Sequence, residues 1–431
     1  MTVPSTGPQQ NWAGNLRYGA REIVRPRSIA EAQAAVSRET RVRPLGTRHS
    51  FSTIADSPGV LLELDGLPTV LDIDADRMRV SVSAGTTYGL LGVELERCGL
   101  ALRNTGSLPH ISVAGACAVA THGSGDTNGN LATAVIGVQL ITADGSLVEL
   151  SRESDPRDFD GIVVSLSALG VFTRLDLSIE PTFEVRQDVY EGLSWERLEQ
   201  NFDAITSFGY SVSLFTKWTD QPLSRILVKS RRDQLGSECP PEELFGARPI
   251  GARPPNSKRN NLTNRDGSFG PWNERLPHFR SDANPSHGNE LQSEYFIARE
   301  HATAAFAALR SMAGRIHPLL IIGEIRTVAA DSLWLSPSYG MDAVALHFTW
   351  TGDSTAVTAL LPELEEALAD FSPRPHWGKL FARGIEDIAP LYERHADFVR
   401  LAERFDPRLK FHNRFLERNV LPRDKRFLDG P

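Results

Sequence analysis

Two glycine-rich loops hold the residue types best suited to gripping a ligand through the main chain. The first, PLGTRHSF, runs from Pro44 to Phe51, and the second, GSLPHISVAGACAVATHGSGDTNG, from Gly106 to Gly129. Glycine and other small residues let backbone N–H groups approach an anion closely. Neither loop matches G-x-G-x-x-G, because Gly123, Gly125 and Gly129 are wrongly spaced, and neither contains G-x-x-x-x-G-K. A nucleotide-sized anion fits such loops, though not in the Rossmann or Walker manner. His49 stands at the tip of the first loop and His122 in the second; taken singly, each is most simply a surface or internally satisfied histidine.

Three further segments carry polar residues in paired positions. In LLIIGEIRTV the period of a strand puts Glu324 and Arg326 on one face among apolar neighbours. The same period in VALHFTW places His347 with Thr349, and Leu346, Phe348 and Trp350 opposite. HWGK adds Lys379. Each has an ordinary explanation, Glu324 with Arg326 as a structural ion pair and Lys379 as a solvated amine. Together, two strands with polar pairs on one face describe a cavity lined for hydroxyl groups.

The elements that must position these residues are legible around them. Ser28 with Glu31 forms a capping box, and Ile29, Ala32 and Val36 supply the apolar stripe of the helix that follows. Val42 to Leu45 reads as a strand stopped by Gly46, while Met78, Val80, Val82 and Ala84 alternate as a half-buried strand. Tyr88, Leu91 and Leu95 recur at helical spacing. Asp144-Gly145 between two apolar runs predicts a two-residue hairpin. Gly161 to Leu169 reads as a helix stopped by Gly170, with a strand from Val171 to Ile179 and Pro181 closing the segment. Between about 230 and 290 the texture turns to Pro, Asn, Arg and Gly, which predicts a long loop excursion. Strands resume at Leu319 to Val328 and Ala343 to Trp350, and Pro390 to Phe405 has helical spacing.

The chain has 431 residues, with 46 Lys+Arg against 54 Asp+Glu and a formal charge of −8. That length predicts two or three domains. The acidic balance argues against a nucleic-acid partner. Cys98, Cys117 and Cys239 are too dispersed for a disulfide framework or a thiolate zinc site, and no metal is expected. The N-terminus lacks the marks of a secretory signal, and no apolar run approaches the roughly 18 residues of a membrane span. A cytoplasmic monomer without membrane partners is therefore expected.

PLGTRHSF, GSLPHISVAGACAVATHGSG and SLSALGVFTRLDL, followed in order by ELQSEY, GEIRTVAAD, WLSPSYG, HFTW and PHWGK, resemble the vanillyl-alcohol-oxidase-type (VAO/PCMH) FAD-binding family. The likeness is to its alditol oxidases first and, more distantly, to sugar-lactone oxidases such as gulonolactone oxidase. It runs from Asn11 onward and is poorest in the excursion. The resemblance implies an α+β, two-domain fold: a flexible tail at 1–10, an FAD-binding domain at 11–182, and a substrate or cap domain at 183–378 on a mainly antiparallel sheet. Residues 379–431 would return to the first domain.

The same resemblance implies that Leu45, Gly46, Thr47, Arg48, His49 and Ser50 wrap FAD. Ser112, Ala114, Gly115, Thr121, His122 and Gly123 would meet its ring and pyrophosphate, with Val171 on the adenine side. His49 matches the position joined covalently to the flavin, and Arg48 stands where many relatives place Gly. Ser107 would meet both flavin and substrate, and Gly106, Ala in some relatives, would leave room for dioxygen. Ser107, Glu324, Arg326, His347, Thr349 and Lys379 would bind a polyol, with Arg326, Lys379 and Glu324 carrying catalysis. The implied reaction oxidises the terminal primary hydroxyl of an alditol such as xylitol or sorbitol, with O2 as acceptor, to an aldose and hydrogen peroxide. The alternatives are an aldonolactone oxidase or dehydrogenase and, outside enzymes, a flavin-binding scaffold without turnover; Arg326 and Lys379 argue against the last.

Overall fold

The apolar runs flanking the first loop pair in parallel: Val42–Leu45 lies beside Val60–Glu63, which lies beside Glu22–Arg25. In this computed structural model, which describes residues 3–4, 9–235, 241–250, 261–285 and 290–422, a helix at Ile29–Arg38 buries Ala32, Ala35 and Val36. Ser28 caps it by accepting from the Glu31 N–H, but the Glu31 carboxylate accepts from Arg27 N rather than Ser28 N, so the expected box closes one residue early.

A second, antiparallel sheet orders Leu71–Asp74, Arg79–Ser83, Val171–Ser178, Val135–Ile141 and Leu147–Ser151. Its hairpin at Asp144 has three loop residues rather than two. Thr142 N donates to Ser146 O, and Gly145 takes φ +90, which costs a residue without Cβ nothing. The helix expected at Gly161 to Leu169 is also shorter, Phe159–Val163, and Leu166 and Ser167 adopt φ +53 and +54. The cause is Arg43, 1% exposed, whose guanidinium donates to the carbonyls of Leu166, Ser167, Ile54 and Phe411. A buried cation needs partners in place of water, and a helix would have consumed those carbonyls.

The third sheet is the largest. Glu184–Glu191, Arg225–Arg231, Ser211–Thr216, Leu320–Val328, Ala343–Trp350 and Leu291–Ala298 lie side by side, every neighbour antiparallel. Leu214, Ile325, Leu346 and Phe348 on one face share a core with buried residues of helices Trp195–Thr206, Ala302–Ser311 and Ser354–Ala367. The polar residues of GEIR and HFT are left to the other face.

Where its residues are described, the excursion is more ordered than a loop, and 236–240, 251–260 and 286–289 lie outside the described residues. Arg248–Pro249 and Gly270–Pro271 pair onto Glu184–Glu191, and Trp272, fully buried, donates its indole N–H to Leu100 O. Trp377, Tyr392, Phe398, Leu401, Phe411 and Phe415 bring the C-terminal segment into the core formed by the first two sheets. There the helix is His395–Phe405, and Pro390 lies inside a separate single turn, Ala389–Leu391. Cys98 is exposed, Cys117 buried, and both are free thiols; Cys239 lies outside the described residues. Among the described residues no helix is long and apolar enough to cross a membrane.

Candidate active site

Strand register assembles the polar face. Phe215, Glu324, His347 and Glu294 stand directly opposite one another across four strands, and Ser213, Arg326, Ala345 and Phe296 form the next row. Opposed residues share a face, so side chains far apart in sequence become neighbours. Lys379 joins them from the segment after Leu291–Ala298's edge partner Arg374–Pro375, held by Lys379 N donating to His376 O and Leu380 N to Gln292 O.

Arg326 does not take Glu324 as its main partner, as the sequence pairing had implied. Its Nη2 donates to Glu294 Oε1 at 2.7 Å, whereas Nε lies 3.7 Å from Glu324 Oε1, and neither of those atoms has a hydrogen-bond partner among the described residues. Glu294, 0% exposed, is the hub. Lys379 Nζ donates to its Oε2 at 2.6 Å, His122 Nε2 lies 3.2 Å from Oε2, and His347 Nδ1 lies 3.7 Å from Oε1. Burial alone would raise the Glu294 pKa, but Lys379, His122 and Arg326 outweigh it and hold the carboxyl well below its ordinary value. Burial lowers the pKa of Lys379, with Glu294 opposing, and the two carboxylates keep Arg326 raised against its own burial.

The histidines are set by these contacts. Lys379 Nζ donates to His347 Nδ1 at 2.8 Å, and an ammonium can only donate, so the ring proton sits on Nε2 and is given to Thr349 Oγ1 at 3.0 Å. Gly378 N likewise donates to His376 Nδ1 at 3.0 Å. Burial, then the Lys379 charge, holds both rings neutral, their pKa values well below the usual one. His122, Glu294 and His376 bring three potential ligand atoms within 4.8 Å, but both Glu294 oxygens already accept from cations, and a metal ion would be repelled by Lys379 and Arg326.

A cavity of about 350 Å³ runs from this face to the first loop, and a second of about 340 Å³ continues between that loop, Ala114, His110 and Phe172. The two share Pro44 to His49, Ser112, Gly115 and Ser167. A Cβ on Gly46 would meet Ser112 Oγ at 2.7 Å, so a glycine there lets the first loop approach the second, and one on Gly115 would meet the same oxygen at 2.8 Å from within the second loop. His49 stacks on Trp12 with centroids 5.3 Å apart, and its buried Nδ1 has no partner among the described residues. Burial, then His110, lowers its pKa to about 4, leaving a neutral imidazole. Arg48 sits at φ +64, which glycine would take freely, and its guanidinium pairs with Glu63 at 2.5 Å. An elongated cleft, a glycine cradle and an orphaned neutral imidazole nitrogen fit a dinucleotide flavin.

The structure places Leu45, Gly46, Thr47, Arg48, His49, Ser50, Ser107, Ser112, Ala114, Gly115, Thr121 and His122 on these walls. Gly123 and Val171 line neither cavity; at the second it is Phe172 that lines the surface. Glu324, Arg326, His347, Thr349 and Lys379 all line the first cavity. Sequence reasoning passed over Glu294, although its place in LQSEYFIA carries the same strand signal as Glu324. It also passed over His376 and His278, for which periodicity offers no signal.

A flavin-shaped cleft closed by a charged antiparallel sheet defines an FAD-dependent oxidoreductase. Residues 20–151 match the family model described as FAD binding domain, and residues 287–419 match that of D-arabinono-1,4-lactone oxidase. The fold is similar to that of cholesterol oxidase from B. sterolicum, with a TM-score of 0.78 at 15% identity over 98% of both chains. The chain is 46% identical over 412 residues to an alditol oxidase of a Streptomyces species, covering 94% of this chain and 97% of that one. It is 32% identical over 437 residues to the L-gulono-1,4-lactone dehydrogenase of Mycobacterium tuberculosis, covering 96% and 99%. The protein belongs to this family of FAD-dependent sugar and polyol oxidoreductases, on the two-domain α+β fold of the vanillyl-alcohol-oxidase type.

Proposed function

We propose that the protein is an alditol oxidase, acting on the terminal primary hydroxyl of polyols such as xylitol or sorbitol. The observation that carries this reading is the balanced cavity, in which Lys379 and Arg326 face Glu294 and Glu324 amid neutral hydroxyl-binding groups. A neutral polyol enters it without adding charge, and several hydrogen bonds orient it. When bound, FAD would supply the hydride-accepting and oxygen-reducing chemistry.

The chain's own residues do the rest. Lys379 spends one proton on Glu294 and one on His347, which leaves a third for the reacting oxygen. Arg326 Nε, buried and without a partner among the described residues, is a second donor. Both act on negative charge that develops as the C–H bond breaks, where a fixed donor is worth most. Thr349 accepts from His347 and so turns its own hydrogen to the substrate. His49 is the residue that would attach the flavin, through its free Nδ1; the Glu63 pair that holds Arg48 supports the loop in that form.

The test is peroxide release on a panel of xylitol, sorbitol and gulono-1,4-lactone, run beside an artificial acceptor without oxygen. The lactone is included because residues 287–419 match a lactone oxidase model. Peroxide from the alditols is expected; a preference for the lactone, or turnover only with the artificial acceptor, would overturn the reading. A cytoplasmic monomer belongs to the same proposal, and sedimentation with cell fractionation tests it.

A further inference from the structure

His278 reaches the cavity from the irregular excursion and is fixed there on both sides. Its N–H and that of Phe279 donate to Ser107 O at 3.1 and 3.2 Å, and Thr263 N donates to His278 O at 3.1 Å. The side chain is 9% exposed and lies beside the Phe215 ring, centroids 5.9 Å apart. Burial, then Lys229, Arg265 and Arg326, keeps the imidazole neutral. Nδ1 lies 3.4 Å from the Ser107 hydroxyl, which accepts from it or donates to it according to the tautomer, and Nε2 makes no hydrogen bond among the described residues.

That Nε2 lies 3.9 Å from Glu324 Oε1, itself buried and without a hydrogen-bond partner among the described residues. The separation is too long for a direct bond. It suits a hydroxyl seated beside both, which in the tautomer with the proton on Nε2 accepts from the ring and donates to the carboxylate. Glu324 is two strands from Glu294, where Lys379 is held, roughly 10 Å between backbones. Arg326 bridges the two positions, with Nη2 on Glu294 and Nε 3.7 Å from Glu324 Oε1, so a hydroxyl gripped here is a neighbour of the one that Lys379 holds.

We infer that His278 is a specificity-determining residue that, with Glu324, holds a substrate hydroxyl other than the reacting one. This rests on the alditol reading above and adds to it: the excursion reads the polyol chain, while the sheet and Lys379 act on its end.

The test compares xylitol with its single-deoxy analogues in the flavin-loaded parent, His278→Phe and His278→Gln, at matched flavin content and melting temperature. The parent is expected to handle worst one analogue that lacks a hydroxyl other than the reacting one. His278→Phe keeps the ring but removes the donor, so kcat/KM for xylitol should fall about 10- to 100-fold, mainly through KM, from the loss of one buried hydrogen bond. For the worst analogue it should hardly change, so the discrimination collapses. His278→Gln, which can still donate, should recover part of it and serves alone if the Phe variant does not fold. If the parent oxidises alditols and the discrimination survives in both variants, the role of His278 is overturned. If the parent oxidises no alditol, the functional reading falls first and this inference with it.

Discussion

Glu294→Gln keeps the shape of the hub and removes its charge. The carboxylate accepts at 2.6 Å from Lys379 and 2.7 Å from Arg326 and is 0% exposed, so the variant leaves two buried cations facing Glu324 alone. Removing one partner of a buried pair costs about 3–5 kcal/mol because the other charge stays unsolvated. Part of that cost is relieved if Lys379 gives up its proton, which abolishes the donor at the reacting oxygen. Loss of such a donor slows turnover about 10²- to 10³-fold. The pH dependence has a definite sign. The ammonium is the active form, so flavin reduction is fastest below the Lys379 pKa and falls as pH rises through it. Burial has already lowered that pKa from 10.5 and Glu294 opposes the shift, so its removal should move the alkaline fall to lower pH. Stability follows Glu294 itself. Its folded pKa is held well below 4.5, so its contribution is full above that value and is lost only as pH falls through the folded one. The variant's deficit should therefore be present at neutral pH and shrink in strong acid. Anaerobic stopped-flow reduction by xylitol across pH, on protein of confirmed flavin content, reads the first effect, and melting temperature reads the second. A parent-like rate with an unmoved alkaline limb would refute the claim that Glu294 keeps Lys379 charged.

Lys379→Met should slow the same reduction about 10²- to 10³-fold at neutral pH with flavin content intact, and parent-rate reduction would remove Lys379 from the chemistry. Acid-precipitated parent protein should stay yellow, and His49→Ala should release the colour; free FAD in the parent supernatant would rule out the bond at the buried Nδ1. Gly106→Ala should slow reoxidation by dioxygen while leaving anaerobic reduction largely unchanged. A methyl there would lie 3.5 Å from Thr121 and 3.7 Å from Ile111 and Leu131, ordinary contacts that require no distortion, so equal slowing of both half-reactions would refute a role in oxygen access.

Local order was legible wherever the signal is local. The alternation in GEIR and HFTW puts Glu324 with Arg326 and His347 with Thr349 on one face because strand geometry allows nothing else, and the single glycine of PLGTRHSF marks a loop because a Cβ there would meet Ser112. The Gly161 to Leu169 helix was misread because its end is decided by Arg43, more than a hundred residues earlier, whose buried charge claims the carbonyls of Leu166 and Ser167. The expected Glu324 to Arg326 pair yielded to Glu294 for the same reason. Same-strand spacing says which residues share a face, but the register of a third strand says which charges meet. His278 shows the limit most clearly, since it comes from a segment without periodicity and is placed by backbone bonds to Ser107, 171 positions away. The sequence by itself therefore determined the loops, the strands and their polar faces, all consequences of local backbone geometry. Only the tertiary structure decided which carboxylate neutralises which cation, which nitrogen of each histidine carries the proton, and which buried donors are left free, because those depend on distances between chain segments that no local pattern encodes.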